Sequence, residues 1–279
     1  MLRTRLIVGA VLIALTAGML AFDQRFAPGY PFLFGVVALL GLMGGVELVT
    51  LLSATRQPSF PLVLTGIFVV LAANWAGLLF GPMGPGGFVA VLFAFAALVL
   101  VTFLVEMATF EGPGGVVERI SLTLWVVAYL GILPSFLVNL QLGRTDGLGT
   151  VALALAIFVP KGCDIGAYFT GRLIGRHHMT PVLSPKKTWE GAVGGLLAAI
   201  LVAFALDRLG PIIPWGAAGT VLFGITVGAA GILGDLAESM VKRDCRRKDA
   251  SHIVPGFGGV LDVVDAIVFA APISYLWLR

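Results

Sequence analysis

The chain has 279 residues, 58% hydrophobic and only 12% charged, and its mean hydropathy of +1.02 excludes a water-soluble globule. Its net charge of +3 is small, and no nucleic-acid partner is expected, because cation placement in a membrane protein carries topological information. Three scattered histidines lack metal-ligand spacing and are assigned to solvent, which argues against a zinc site.

A membrane span needs about 20 mostly apolar residues, and nine segments meet that criterion. Their cores lie at roughly 6–22, 32–52, 61–80, 87–106, 119–138, 149–171, 191–207, 215–235 and 259–277. The expected fold class is therefore an all-α polytopic integral membrane protein. The opening Met-Leu-Arg-Thr-Arg has the look of a secretory signal, but no small-x-small cleavage site precedes Asp23, so a retained first span is expected. With the N-terminus in the cytoplasm, 13 of the 18 cations fall on that side, nine of them in two charged loops at 172–190 and 236–258. The opposite side then has only Arg25, Arg144, Arg208 and Arg279. Cys163 falls in a span and Cys245 in a loop, which makes a disulfide between them improbable.

The first four spans, joined by short turns such as 27–29 and 81–87, show little chemistry apart from Glu47. An ionisable group inside a span is a functional candidate, yet beside Gly44 and Gly45 bonding to a neighbouring helix is the favoured expectation. The glycine run Gly112-Pro113-Gly114-Gly115, flanked by Glu106, Glu111, Glu118 and Arg119, is the clearest composition break. It suggests an N-terminal part, 1–115, and a five-span catalytic part, 116–279.

Polar residues then enter the spans. The sixth holds Pro160, Lys161 and Asp164, a helix breaker with a cation and an acid at membrane depth, which needs protein or water around it. Lys161 and Asp164 either neutralise each other or face a polar cavity. In Leu183–Gly191, Ser184 is expected to cap a helix with Pro185 at its first position. Lys186 and Lys187 would add charge beside its free N–H groups.

The most charged stretch is 235–265. Asp235, Ser239 and Lys242 share one helical face, with Glu238 beside them, and Asp262 and Asp265 stack one turn apart. Lys242, Arg243, Arg246, Arg247 and Lys248 lie between these acids and suit several phosphates. The turn at 255–259 lets backbone approach a ligand. Carboxylates for a hard cation, cations for phosphate and a glycine turn describe a nucleotide site.

This stretch resembles the signature of the phosphatidate cytidylyltransferases, membrane enzymes that join CTP to phosphatidic acid. The matching residues are Ser239, Lys242, Arg243, Lys248, Asp249, Gly258, Gly259, Asp262 and Asp265. Phe257 and Val263 stand where that family usually has His and Arg. Asp164, Ala167 and Tyr168, followed by Gly171 and Gly175, are similar to the family's Asp-x-x-Ala-Tyr segment. Ser184, Pro185, Lys187, Thr188, Glu190 and Gly191 are similar to a second family element.

The resemblance implies CDP-diacylglycerol synthesis at a bacterial inner membrane, with the site facing the cytoplasm. Asp235, Asp262, Asp265 and Lys242 are the expected catalytic residues, with Asp235 and Asp262 on magnesium or another divalent cation. Asp164, Ser184, Lys187, Thr188, Glu190, Ser239, Arg243, Lys248, Asp249, Gly258 and Gly259 are the expected substrate contacts. A homodimer is compatible with this picture. Another lipid phosphate or phosphorylated prenyl acceptor, a catalytically degenerate homologue and a membrane transporter remain alternatives.

Overall fold

The computed structural model describes residues 2–53, 57–80, 86–144, 146–251, 253–254 and 258–279. Arg56, the 81–85 part of a predicted turn, His252 and the Pro255–Phe257 part of the glycine turn lie outside the described residues. Among the described residues, nine helical segments are long and apolar enough to cross a membrane, in agreement with the predicted spans.

The elements in chain order are α1 (Leu2–Asp23), α2 (Pro31–Ser53), α3 (Phe60–Ala72), α4 (Ala76–Phe80), α5 (Gly87–Ala108), α6 (Val116–Val127) and α7 (Leu133–Leu142). They are followed by α8 (Gly149–Ile174), β1 (His178–Thr180), β2 (Ser184–Thr188), α9 (Trp189–Asp207), α10 (Gly216–Asp244) and α11 (Leu261–Leu278). A π-helical turn, Ala128–Ile132, joins α6 to α7, so the two make one span. Apolar side chains cover the helices on more than one side; Phe93 and Leu104 of α5 remain 69% and 62% exposed, as suits a lipid-facing surface.

By compactness the chain forms two units. The first comprises Met1–Asn139 and Asp249–Leu261, and the composition break at Gly112–Gly115 falls inside it. Its helices pack closely at glycines: a Cβ on Gly41 of α2 would meet Leu71 of α3 at 2.8 Å, and one on Gly66 of α3 would meet Leu98 of α5 at 2.7 Å. Several of its polar groups are tied off internally. Asp23 accepts from the Phe32 and Leu33 amides, Arg119 binds Glu106 through two nitrogens, and Asn74, Ser135 and Asn139 bond one another. Such bonds are what a polar group in an apolar bundle requires.

The second unit comprises Leu140–Lys248 and Asp262–Arg279. Gly166 of α8 lies against Ala198 and Gly194 of α9, and a Cβ there would meet the Ala198 methyl at 2.4 Å. Small residues of this kind let membrane helices approach backbone to backbone. The expected interruption at Pro160 does not occur: α8 runs unbroken through it for 26 residues. Gly231 of α10 packs on the proline ring, where a Cβ would come within 2.9 Å, so a neighbouring helix covers the weakened backbone.

The second correction concerns 184–188. Ser184 does not cap a helix; Ser184–Thr188 is a strand paired antiparallel with His178–Thr180. The cap of α9 is Thr188, whose hydroxyl accepts from the Gly191 amide at 3.1 Å. A threonine before a helical apolar run suits that position as well as the earlier serine does, and pairing with 178–180 decides between them. Cys163 and Cys245 are both buried and not joined in a disulfide.

Candidate active site

Asp164, Asp235, Glu238, Asp262 and Asp265 of the second unit converge with three of its lysines. Asp235, Glu238 and Lys242 lie at i, i+3 and i+7 on α10, hence on one face. Asp262 and Asp265 open α11, and Gly234 allows that helix to approach: a Cβ on Gly234 would meet the Asp265 carbonyl oxygen at 2.7 Å. One ligand oxygen each of Asp235, Glu238 and Asp265 lies within 4.8 Å of the other two.

Three lysines surround these acids, each on a different helix or strand. Lys161 of α8 donates to Asp164 at 2.9 Å and to Asp265 at 3.3 Å. Lys187 of β2 pairs with Asp235 at 2.8 Å and lies 3.4 Å from the Ile232 carbonyl oxygen. Lys242 pairs with Glu238 at 2.8 Å and with Asp262 at 2.5 Å. Both readings of the Lys161–Asp164 pair are therefore partly met, since the ammonium neutralises its neighbour and also reaches a second helix.

Five carboxylates with three ammoniums leave two formal negative charges, the charge of one divalent cation. Glu238 is 3% exposed, and its Oε1 is buried with no hydrogen-bond partner among the described residues. A buried, unpaired carboxylate oxygen is costly. Opposite ligands of a magnesium ion are about 4 Å apart, so the Asp235–Glu238–Asp265 set needs little adjustment to share one. Hard oxygen donors, a matching charge and an orphaned oxygen all fit such a cation.

The expected site residues distribute unevenly around this cluster. Asp235, Asp265, Lys187 and Asp164 belong to it directly or through one lysine. Asp262, expected on the metal, is held by Lys242; Lys242, expected on phosphate, is 8% exposed between its two acids. Ser239 donates to Asp235 at 3.4 Å. Thr188 is buried as the α9 cap, and Gly171, Gly175 and Gly191 crowd its hydroxyl.

Glu190 is drawn elsewhere. It accepts from the Arg176 and His177 amides and contacts His177 Nδ1 at 2.5 Å, which secures the turn into the hairpin. His177 is thus exposed but partnered rather than simply solvated. Ser184 is half-buried in β2.

The basic stretch closes the α10 end as a tight turn. The Arg246 and Arg247 amides donate to the Arg243 and Lys242 carbonyls, and Arg246 has φ 54°. Arg243, Arg246, Arg247 and Lys248 are exposed, and Arg243 Nε lies 3.5 Å from the Leu183 carbonyl oxygen on the hairpin. Four exposed cations on one short turn form an anion-receptive surface.

Asp249, Gly258 and Gly259 belong to the first unit. Gly258 has φ 117°, and its amide and carbonyl both bond Val254. Glu47 reaches this segment and accepts from Ser251 and from the Val260 and Leu261 amides. Of its two sequence readings, bonding to a neighbouring segment is the one observed. Glu238 is the acid of the cluster that sequence reasoning left out of the site. The i, i+3 and i, i+4 spacing of Glu238 to Asp235 and Lys242 was the available signal for it.

Comparison with known proteins identifies a family for the chain. The model of a family described as the cytidylyltransferase family matches residues 3–279. A phosphatidate cytidylyltransferase of Haemophilus influenzae is 38% identical over 133 residues, 46% of this chain and 46% of that protein. One of Brucella suis biovar 1 is 34% identical over 236 residues, 82% of this chain and 77% of that protein. The chloroplastic phosphatidate cytidylyltransferase 5 of Arabidopsis thaliana is 32% identical over 203 residues, 63% of this chain and 49% of that protein. The matched stretch thus spans about half the length of the first and third of these relatives.

Proposed function

This chain belongs to the cytidylyltransferase family, and on that premise we propose that it transfers CMP from CTP to phosphatidic acid. A phosphate oxygen of the lipid bonds to the α-phosphorus of CTP, the bond from that phosphorus to the β-phosphate oxygen breaks, and pyrophosphate leaves. The products are CDP-diacylglycerol and pyrophosphate.

The observation that carries the reading is the acid cluster beside an exposed basic turn. Two polyanions have to be held at bonding distance against their repulsion, so catalysis is mostly alignment and charge neutralisation. Asp235, Glu238 and Asp265 would hold a divalent cation, magnesium by donor type, which when bound offsets phosphate charge. Lys242 holds Asp262 and Glu238 in place. Lys187, with 21% of its side chain exposed on the hairpin, brings an ammonium against Asp235 and is assigned to phosphate. Arg243, Arg246, Arg247 and Lys248 are assigned to the triphosphate and the departing pyrophosphate. The lipid acceptor enters laterally with its phosphate at headgroup level; the cation distribution supports a cytoplasmic side for the basic turn, and the bacterial relatives support an inner-membrane location.

Pyrophosphate release from purified protein given CTP, phosphatidic acid and magnesium tests the reading. Turnover should require all three and fall at least a hundredfold in Asp235→Asn. Equal turnover with the variant, or release independent of phosphatidic acid, would remove it. Replacing phosphatidic acid with a polyprenyl phosphate measures the choice of acceptor.

A further inference from the structure

Glu47 lies in the second span, among residues that otherwise show little chemistry, and is 3% exposed. Its Oε1 accepts from the Ser251 hydroxyl at 2.6 Å and the Val260 amide at 2.9 Å, and its Oε2 from the Leu261 amide at 2.8 Å. Leu261 is the first residue of α11, so these amides are among the donors that a helix start leaves without a partner. An acid at that end also offsets the partial positive charge of the helix dipole.

The neighbouring glycines are shaped to this contact. A Cβ on Gly259 would lie 2.5 Å from Glu47 Oε2 and 2.8 Å from its carboxyl carbon, so any side chain there displaces the acid. Gly258 holds φ 117°, and its amide and carbonyl both bond Val254. Ser251, Gly259, Val260 and Leu261 are therefore gathered on one carboxylate that comes from 204 to 214 residues earlier in the chain.

We propose that Glu47 is a positioning residue for nucleotide transfer, fixing the Gly258–Gly259 turn and the start of α11 that leads into Asp262. This role rests on the transfer reaction proposed above and gives the N-terminal spans a part in it.

The test uses the full chain in lipid nanodiscs, with Glu47→Ala, Glu47→Gln and Gly259→Ala. Hydrogen exchange at the Val260 and Leu261 amides should accelerate about tenfold or more in Glu47→Ala. The KM for CTP should rise about tenfold with the KM for phosphatidic acid unchanged, since the Gly258–Gly259 turn and the start of α11 move together and both serve the nucleotide rather than the lipid. Glu47→Gln keeps one acceptor oxygen and should fall between wild type and Glu47→Ala. Glu47→Ala combined with Gly259→Ala should be no worse than the more damaging single change, because both break one contact. Unchanged amide exchange overturns the proposal. So does a lower kcat with both KM values unchanged, which a smaller folded fraction would produce. A wild-type protein that releases no pyrophosphate overturns the transfer reading instead, and the exchange measurement still decides whether Glu47 holds the turn.

Discussion

Replacing Lys242 by Met tests whether the cluster is held by charge balance. Lys242 is 8% exposed, and the side chains it joins, Glu238 and Asp262, are 2% and 10% exposed. Met conserves most of the volume, so the packing loss is small and the main effect is two shielded carboxylates losing their shared cation. Removing one partner of a buried ion pair costs about 3–5 kcal/mol, and the lower figure is a factor of roughly 150 in the unfolding equilibrium. Solvent reaching Asp262 trims this toward the lower figure. Unfolding in mixed micelles can be followed by tryptophan fluorescence, because Trp215 and Trp277 meet edge to face at 5.4 Å within the same unit. A companion variant, Lys242→Met with Glu238→Gln and Asp262→Asn, carries no unpaired charge and should recover most of the lost stability. A shift below about 1 kcal/mol in the single variant, or no recovery in the triple one, would refute the charge-balance argument.

Glu238→Gln should weaken manganese binding, read by electron paramagnetic resonance, by about tenfold or more, because it removes one of three clustered donors. Glu190→Gln should leave that affinity unchanged, since its carboxylate is taken by the 176–177 backbone. Arg144 binds Asp146 and also reaches the Leu278 carbonyl, and it holds the Asp146 carboxyl down to about 2. A carboxyl depressed in the folded state adds stability above its unfolded value near 4 and loses it as pH falls through about 2. The thermal stability gap between wild type and Arg144→Met should therefore be constant above about pH 5 and narrow toward pH 2; a gap independent of pH there would refute it. Gly166→Ala should destabilise by about 1–3 kcal/mol in the same unfolding assay, because its methyl would overlap Ala198. Gly18→Ala, with nothing within 4 Å, should stay within about 0.5 kcal/mol.

The membrane spans, and the face of α10 that carries Asp235, Ser239 and Lys242, were legible in sequence because they depend on local regularities. An apolar run of sufficient length has few alternatives to a helix in lipid, and a helix places i, i+4 and i+7 together whatever surrounds it. The same locality explains the errors. Pro160 resembles a break until Gly231 of another helix is seen to cover it, and Ser184 resembles a cap until 178–180 pairs with its strand.

The family resemblance and its expected residues also came from the sequence, since motif residues stand close together along the chain. Which acid faces which cation did not. Lys161 meets Asp265 across 104 residues, and Lys242 reaches Asp262 across 20. Glu238 became a candidate donor only when Asp265 came beside it, and Glu47 found its use at a helix start 214 residues away. The sequence by itself determined the membrane spans, their number and the stock of charges. Tertiary packing decided the pairings, because electrostatic interactions act through distances that close glycine contacts set and chain spacing does not record.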